Sequence, residues 1–265
     1  MRATAGTDGR GLEVQVGEMT AGTAVWSGRW LGLLDAAGRA AALTLGVEQV
    51  LDARTVIVQQ DMPADEVVLL VAGWARSTSI TPSGRVVLHD IYHPGDILAE
   101  RPGSPRTATV TAGSTTRLRR IPPGDVAAFL ATHPGAGAAW RQSLCAQRRA
   151  ARRAWWAAPH LPVPRRVARL LLEQHRAFGQ DPTHTGGIPL VQRDLAAMLG
   201  RSVSPVQAAV GGLRQAGALD IVSSSRCIRI VDLAALQQLA GEPVPVDGLR
   251  CGPAAQGCVV CGENR

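Results

Sequence analysis

Between Thr55 and Pro122 the chain offers a series of short β-branched runs, and no stretch of helical spacing separates them. Thr55–Val58, Glu66–Gly73, Arg85–Ile91, Thr107–Thr111 and Thr116–Ile121 read as strands. Asp61-Met-Pro63, Thr81-Pro-Ser-Gly84 and His93-Pro-Gly-Asp96 carry the residues that turn a chain back on itself. Parallel neighbours need a crossover of about a dozen residues or more, usually a helix, and none is available here. The region must therefore close as an antiparallel sandwich or barrel.

A long helical stretch follows, with Pro159 at its far end, so residues 136–159 read as one unit. Within it Trp140, Leu144, Gln147, Ala151 and Ala154 recur at spacings of 4, 3, 4 and 3, a heptad seam. Such a seam asks for a second helix. The expectation is a two-fold dimer helix in which small Ala residues allow close approach and Gln147 sets the register. Pro159 to Pro164 reads as a hinge, followed by a helix from about Arg165 to His175 and a Gly- and Pro-rich loop. Asp194–Leu199 is a short amphipathic helix stopped by Gly200, and Ser202 with Pro205 opens a second helix that Gly217 ends. Two short strands around a polar tip, Ile221–Val231, and a helix Leu233–Leu239 complete a winged helix-turn-helix, a shape suited to a DNA major groove.

All 28 basic residues are Arg, and the formal net charge is +7. The excess is not spread evenly. Residues 21–135 hold ten Arg and ten acids, residues 136–159 hold five Arg and no acid, and residues 160–240 hold nine Arg against five acids. A polyanion is drawn to concentrated positive charge, so an acidic partner meets the second half and the neutral first half has another task. No apolar run exceeds the six residues of Val67–Ala72, far short of the roughly 20 that span a bilayer, and the N-terminus lacks the apolar core of a signal peptide. The expected setting is the cytoplasm, with no membrane partner.

Catalysis finds little support. Dinucleotide-binding and phosphate-binding glycine loops, a His-Glu-x-x-His helix and a Gly-x-Ser-x-Gly elbow are all missing, and without Lys there is no Schiff-base chemistry. His89 and His93 near Asp90 and Asp96 read as solvated residues at a strand end. Cys251, Cys258 and Cys261 near the C-terminus could grip one metal ion, zinc or an iron–sulfur cluster, with Cys227 or Cys145 as a fourth ligand. A thiol switch or a free tail are the other readings of these cysteines.

Taken in order, a roll marked by Gln59-Gln60-Asp61, Gly73, Gly84, Gly95-Asp96-Ile-Leu-Ala-Glu100 and Arg106-Thr107-Ala108, a long helix, and the segment Leu195–Leu219 resemble the Crp/Fnr family of bacterial transcription regulators. The likeness runs from about Trp30 to Ala240. It implies an α+β architecture: an N-terminal double-stranded β-helix or jelly-roll of the cyclic-nucleotide-binding type, a dimerisation helix and a C-terminal winged helix-turn-helix. The expected divisions are a disordered 1–25, a sensor roll 26–135, the dimer helix 136–159, a DNA-binding domain 160–240 and a Cys-containing tail 241–265. The expected function is a homodimeric DNA-binding regulator whose partners are double-stranded DNA, a second copy and RNA polymerase. The rival is a redox- or metal-sensing adaptor without sequence-specific DNA binding.

The resemblance also carries residues over, with departures. Its phosphate cassette falls on Ala99-Glu100 and Arg106-Thr107, but the link Arg101–Pro105 is short and carries two prolines. Positions that read the base from the dimer helix fall on Ala151 and Arg152. Glu100, Arg106, Thr107 and Arg152 are thus the effector candidates for an altered site, and cyclic AMP is not the expected effector. On the reading helix, positions that carry Arg and Glu in better-known members fall here on Val203, Ser204 and Ala208. Base contacts are expected from Arg201, Ser202, Val203, Ser204, Gln207 and Arg214, and phosphate contacts from Gln192, Arg193, Ser224 and Arg226. Shape and phosphate readout should then carry a larger share of recognition.

Overall fold

The structure, a computed structural model, describes residues 29–179, 187–222 and 227–241. Two short helices, α1 (Trp30–Leu33) and α2 (Ala36–Ala42), precede eight strands: β1 (Val47–Leu51), β2 (Val56–Val58), β3 (Val67–Ala72), β4 (Ala75–Ile80), β5 (Val86–Tyr92), β6 (Ile97–Leu98), β7 (Thr109–Ala112) and β8 (Thr116–Ile121). They form two antiparallel four-stranded sheets, ordered β1-β8-β3-β6 and β2-β7-β4-β5. The continuous apolar run of β3 has a physical reason. Val68 and Leu70 point into the core between the sheets, while Val67 and Leu69 point to the other face, beneath the helices. A strand covered on both faces has no polar side to keep.

That covering layer is α1, α3 (Pro123–Thr132) and the start of α4 (Pro134–His160). Trp30, 1% exposed, meets Phe129 and Trp140 edge-on at centroid separations of 5.9 and 5.6 Å. Ala136, Ala139, Trp140 and Ser143 form the face of α4 turned to the roll. Of the seam residues, Trp140 is half-buried and packs against its own roll. Leu144 (40% exposed) and Ala151 stand on the outer side.

The helix also runs further than 136–159. It begins at Pro134 and continues through Pro159 to His160, leaving only Leu161 and Pro162 before α5 (Val163–Phe178). Pro159 removes one backbone donor, but only His160 follows it in the helix, so the expected hinge shrinks to two residues. Next come α6 (Gln192–Leu199), α7 (Val203–Gln215), β9 (Leu219–Val222), β10 (Cys227–Ile230) and α8 (Leu233–Ala240). β9 and β10 pair antiparallel as the wing, with Ile188 bridging to Ile228 as a third strand position. The core of this C-terminal head is Leu171, Leu195, Val206, Val210, Leu213, Leu219 and Leu236.

Head and roll are not separate cores. Trp74, Leu88 and Ile91 of the roll join the head's apolar cluster. Phe178 meets Trp74 edge-on at 5.6 Å and the His93 ring at 4.6 Å, α6 lies against β5, and an Arg76–Asp194 ion pair of 3.4 Å sits beside the contact. A partly exposed pair of this kind contributes about 0–1 kcal/mol, so the apolar packing holds the contact. His93 is 3% exposed, which corrects the expectation that it is solvated, and Asp96 is buried against Arg29 and the His93 backbone N–H at 2.9 Å. His89 remains exposed and bonds the Ser79 hydroxyl at 2.6 Å.

Candidate nucleic-acid interface and roll cavity

The turn between α6 and α7 is built by Gly200, whose φ of +63° is a left-handed conformation that side-chain-bearing residues rarely adopt. The Gly200 N–H returns to Ala196 and Ala197, and the Arg201 N–H to Ala196 at 3.0 Å, closing α6 and launching α7 within three residues. Ser202 occupies the N-cap position of α7, although its hydroxyl makes no capping bond. At the other end of α6 the Asp194 carboxylate accepts the Val191 N–H at 3.0 Å.

α7 turns Val206, Ala209, Val210 and Leu213 inward and leaves Ser204, Gln207 and Arg214 exposed on the opposite face. Spacings of three and seven put these three on one side of a 3.6-residue helix. Between them Gly211 and Gly212 border open space, so that face can approach another surface closely. Arg214 lies 3.5 Å from Asp220, which Arg229 shares at 3.4 Å. Arg201 and Ser202 are exposed, Val203 is half-buried, and Gln192 and Arg193 stand at the start of α6 with Arg193 exposed. Ser224 and Arg226 lie outside the described residues.

One residue that sequence reasoning passed over organises this turn. Arg166 of α5 is 7% exposed and donates to the Leu199 carbonyl at 2.6 Å, satisfying the open end of α6. Its pKa is lowered, first by burial and then by the charge of Arg201. A buried arginine in an amphipathic helix carries no local sequence signal for such a role.

The roll's own cavity brings Glu100, Arg106 and Thr107 together with Ser77, Tyr92 and Val110, and it holds about 60 Å3. Glu100 accepts the Thr107 backbone N–H at 2.9 Å and its hydroxyl at 2.7 Å. Arg106, 4% exposed, donates to the Glu66 carbonyl at 2.9 Å and lies 3.8 Å from Glu100. Within the one chain Arg152 is exposed on α4 and does not line this cavity. Ala154 has no described side chain, and Gln147 is half-buried. Cys251, Cys258 and Cys261 fall outside the described residues, while Cys227 is buried and Cys145 exposed. Among the described residues no group of three ligating side chains is placed to hold a metal, and no helix is long and apolar enough to cross a membrane.

Two family models match the chain: a cyclic nucleotide-binding domain over residues 48–133 and a Crp-like helix-turn-helix domain over residues 165–239. The chain belongs to the Crp/Fnr family of transcription regulators. Its helix-turn-helix is accordingly of the DNA-binding kind, and the family's members regulate transcription and are not enzymes. No curated protein matches the sequence. Among solved structures the fold is similar to FixK2 from Bradyrhizobium japonicum, at 23% identity over 75% of this chain and 99% of that one, with a TM-score of 0.64. It is also similar to a CRP-family transcriptional regulator of Thermus thermophilus, at 19% identity over 73% and 96% with a TM-score of 0.61. A third similar structure is the c-di-GMP-responsive regulator CLP of Xanthomonas campestris, at 16% identity over 74% and 99% with a TM-score of 0.58.

Proposed function

We propose that the protein is a homodimeric regulator that reads a two-fold DNA site with paired α7 helices and reports to RNA polymerase in the cytoplasm. The observation that carries the reading is the exposed face of α7. Gln207, which can pair bidentately with adenine, stands there among Ser204, Arg214 and glycines that permit close approach. Dimer formation is supported by α4, about 40 Å long at 1.5 Å per residue over 27 residues, whose outer side carries Leu144.

The effector site is altered from the nucleotide-binding pattern. A space of about 60 Å3 has room for one or two waters, and ligand pockets run to about 300–1,000 Å3. Arg106, the residue that would clamp a phosphate, is buried and already donates to the Glu66 carbonyl with the Glu100 carboxylate beside it. These features support an effector other than a cyclic nucleotide. The roll instead acts on the head through the apolar contact at Trp74 and Phe178.

The test is a titration of the full chain against duplexes recovered from a random pool, followed by fluorescence anisotropy over a range of salt. A shared inverted repeat and affinity that falls steeply with salt are expected. Failure to bind any duplex even at low salt would refute the proposal.

A further inference from the structure

A cleft of about 290 Å3 opens between the roll and the helix-turn-helix. Arg85 and Val86, at the start of β5, line it from one side, and Arg193, Arg201, Ser202 and Val203 from the other. All three arginines are exposed, and none of them makes an ion pair among the described residues. No carboxylate lines the cleft. Asp194, next to Arg193 in sequence, is already engaged by Arg76 and by the Val191 N–H. Arg166, which holds the end of α6, adds a further cation whose charged form is disfavoured first by burial and then by Arg201. Like charges gathered without a counter-charge repel one another, and an entering anion relieves that repulsion.

We infer that the β4–β5 hairpin is part of the DNA interface, with Arg85 joining Arg193 and Arg201 to grip a backbone phosphate beside the first turn of α7. This rests on the DNA-binding reading above and extends it to the half of the chain that has no net charge. The occupant is a phosphodiester of the duplex. A small ligand is normally enclosed over about 70–90% of its surface. Here the three arginines are exposed, and the cleft they line also takes in Ser202 and Val203, where α7 begins. Direct bidentate geometry makes Arg well suited to such an oxygen pair. Because residues of both domains hold the same phosphate, DNA binding and the roll–head contact strengthen each other by linkage.

The test compares wild type with Arg85→Ala, Arg85→Lys, Arg201→Ala and Arg101→Ala in the full chain, by anisotropy of a labelled duplex over a salt series. Arg101 is an exposed roll arginine that does not line the cleft. Each phosphate contact contributes about 0.9 to the slope of log K against log salt, so Arg85→Ala should lower the slope by about that amount per protomer. It should also weaken binding roughly three- to tenfold at low salt, equally for selected and scrambled duplexes. Arg85→Lys should keep the slope, and Arg101→Ala should match wild type. If Arg201→Ala weakens binding while Arg85→Ala behaves as wild type, the inference is overturned and the DNA-binding reading stands. If wild type itself binds no duplex, both fall together. Inorganic pyrophosphate, titrated at constant ionic strength, distinguishes a free anion. Pyrophosphate binding that Arg85→Ala abolishes while DNA affinity is untouched would also overturn it.

Discussion

Replacing Phe178 by Ala tests whether roll and head share one core. Phe178 ends α5, is 2% exposed, and packs edge-on against Trp74 with centroids 5.6 Å apart and planes at 87°. Truncating a buried phenylalanine costs about 3–5 kcal/mol, of which an aromatic pair of this geometry supplies about 0.5–1.5. A cooperative unit that includes both roll and head loses roughly 2–4 °C of Tm per kcal/mol, so even the lower bound is a fall of about 6 °C. Differential scanning calorimetry of the full chain is the assay. Wild type should unfold in one transition, and Phe178→Ala in two, with the head first. Gly113→Ala approaches the same contact from the roll, because a Cβ there would lie 2.4 Å from the Trp74 ring and force the indole off Phe178. Overpacking of this kind costs about 1–3 kcal/mol and should split the transition in the same way. A Phe178→Ala protein that melts in one step within about 3 °C of wild type would show that the contact is not holding the domains together.

Further outcomes follow from single residues. The Asp90 carboxyl has its pKa raised from 3.8 to about 6, by lost hydration first and then by the charges of Asp96 and Glu173, against the Ile91 N–H and Arg29. A folded-state value above the unfolded one means the favourable contribution is complete below about pH 4 and is lost as pH rises through 6. Asp90→Asn should therefore raise Tm at about pH 7.5 and leave it unchanged near pH 4, with the sign of the difference as the readout. Leu144→Glu places a charge on the outer side of α4 and should shift the protein from dimer to monomer in sedimentation velocity, with the melting of the roll preserved. Gln207→Ala should cut the preference for the selected duplex by about 1–3 kcal/mol without changing the salt slope, measured by anisotropy against a scrambled duplex.

The winged head was legible because its punctuation is local. Gly200 and Gly217 both take positive φ at helix ends, and Pro205 sits in the first turn of α7. Strand β4 was not legible, since Ala75-Arg-Ser-Thr-Ser-Ile80 lacks bulk, and its central place is imposed by pairing with both β5 and β7. Helix α3 was hidden by Pro122-Pro-Gly124, which reads as a stop although proline at a first helical position is a start. The heptad pattern of α4 was real but ambiguous, because a seam and a core face can share a residue. Trp140 packs against the roll and is half-buried. At the interface Arg193 and Arg201 were found from position within the helix-turn-helix. Arg85 lies more than a hundred residues upstream, on a roll whose charge balances, and only the fold brings it to the cleft.

Strand β5 places the roll's two faces one residue apart. Tyr92 lines the roll cavity while its neighbour Ile91 belongs to the cluster shared with the head, as alternation along a strand requires, and the bulge at His89 in the pairing with β4 turns Leu88 to the same side as Ile91. A change of packing at the cavity therefore reaches the head through the thickness of a single strand, without a relay of loops. Physical adjacency alone is not coupling, and a double-mutant cycle measures it. For Tyr92→Phe with Phe178→Leu, two mild changes on opposite sides of β5, an interaction energy of at least about 0.5 kcal/mol is expected in denaturant melts. Strict additivity would mean that β5 is a rigid wall, and the head would then have to receive its signal by way of α4.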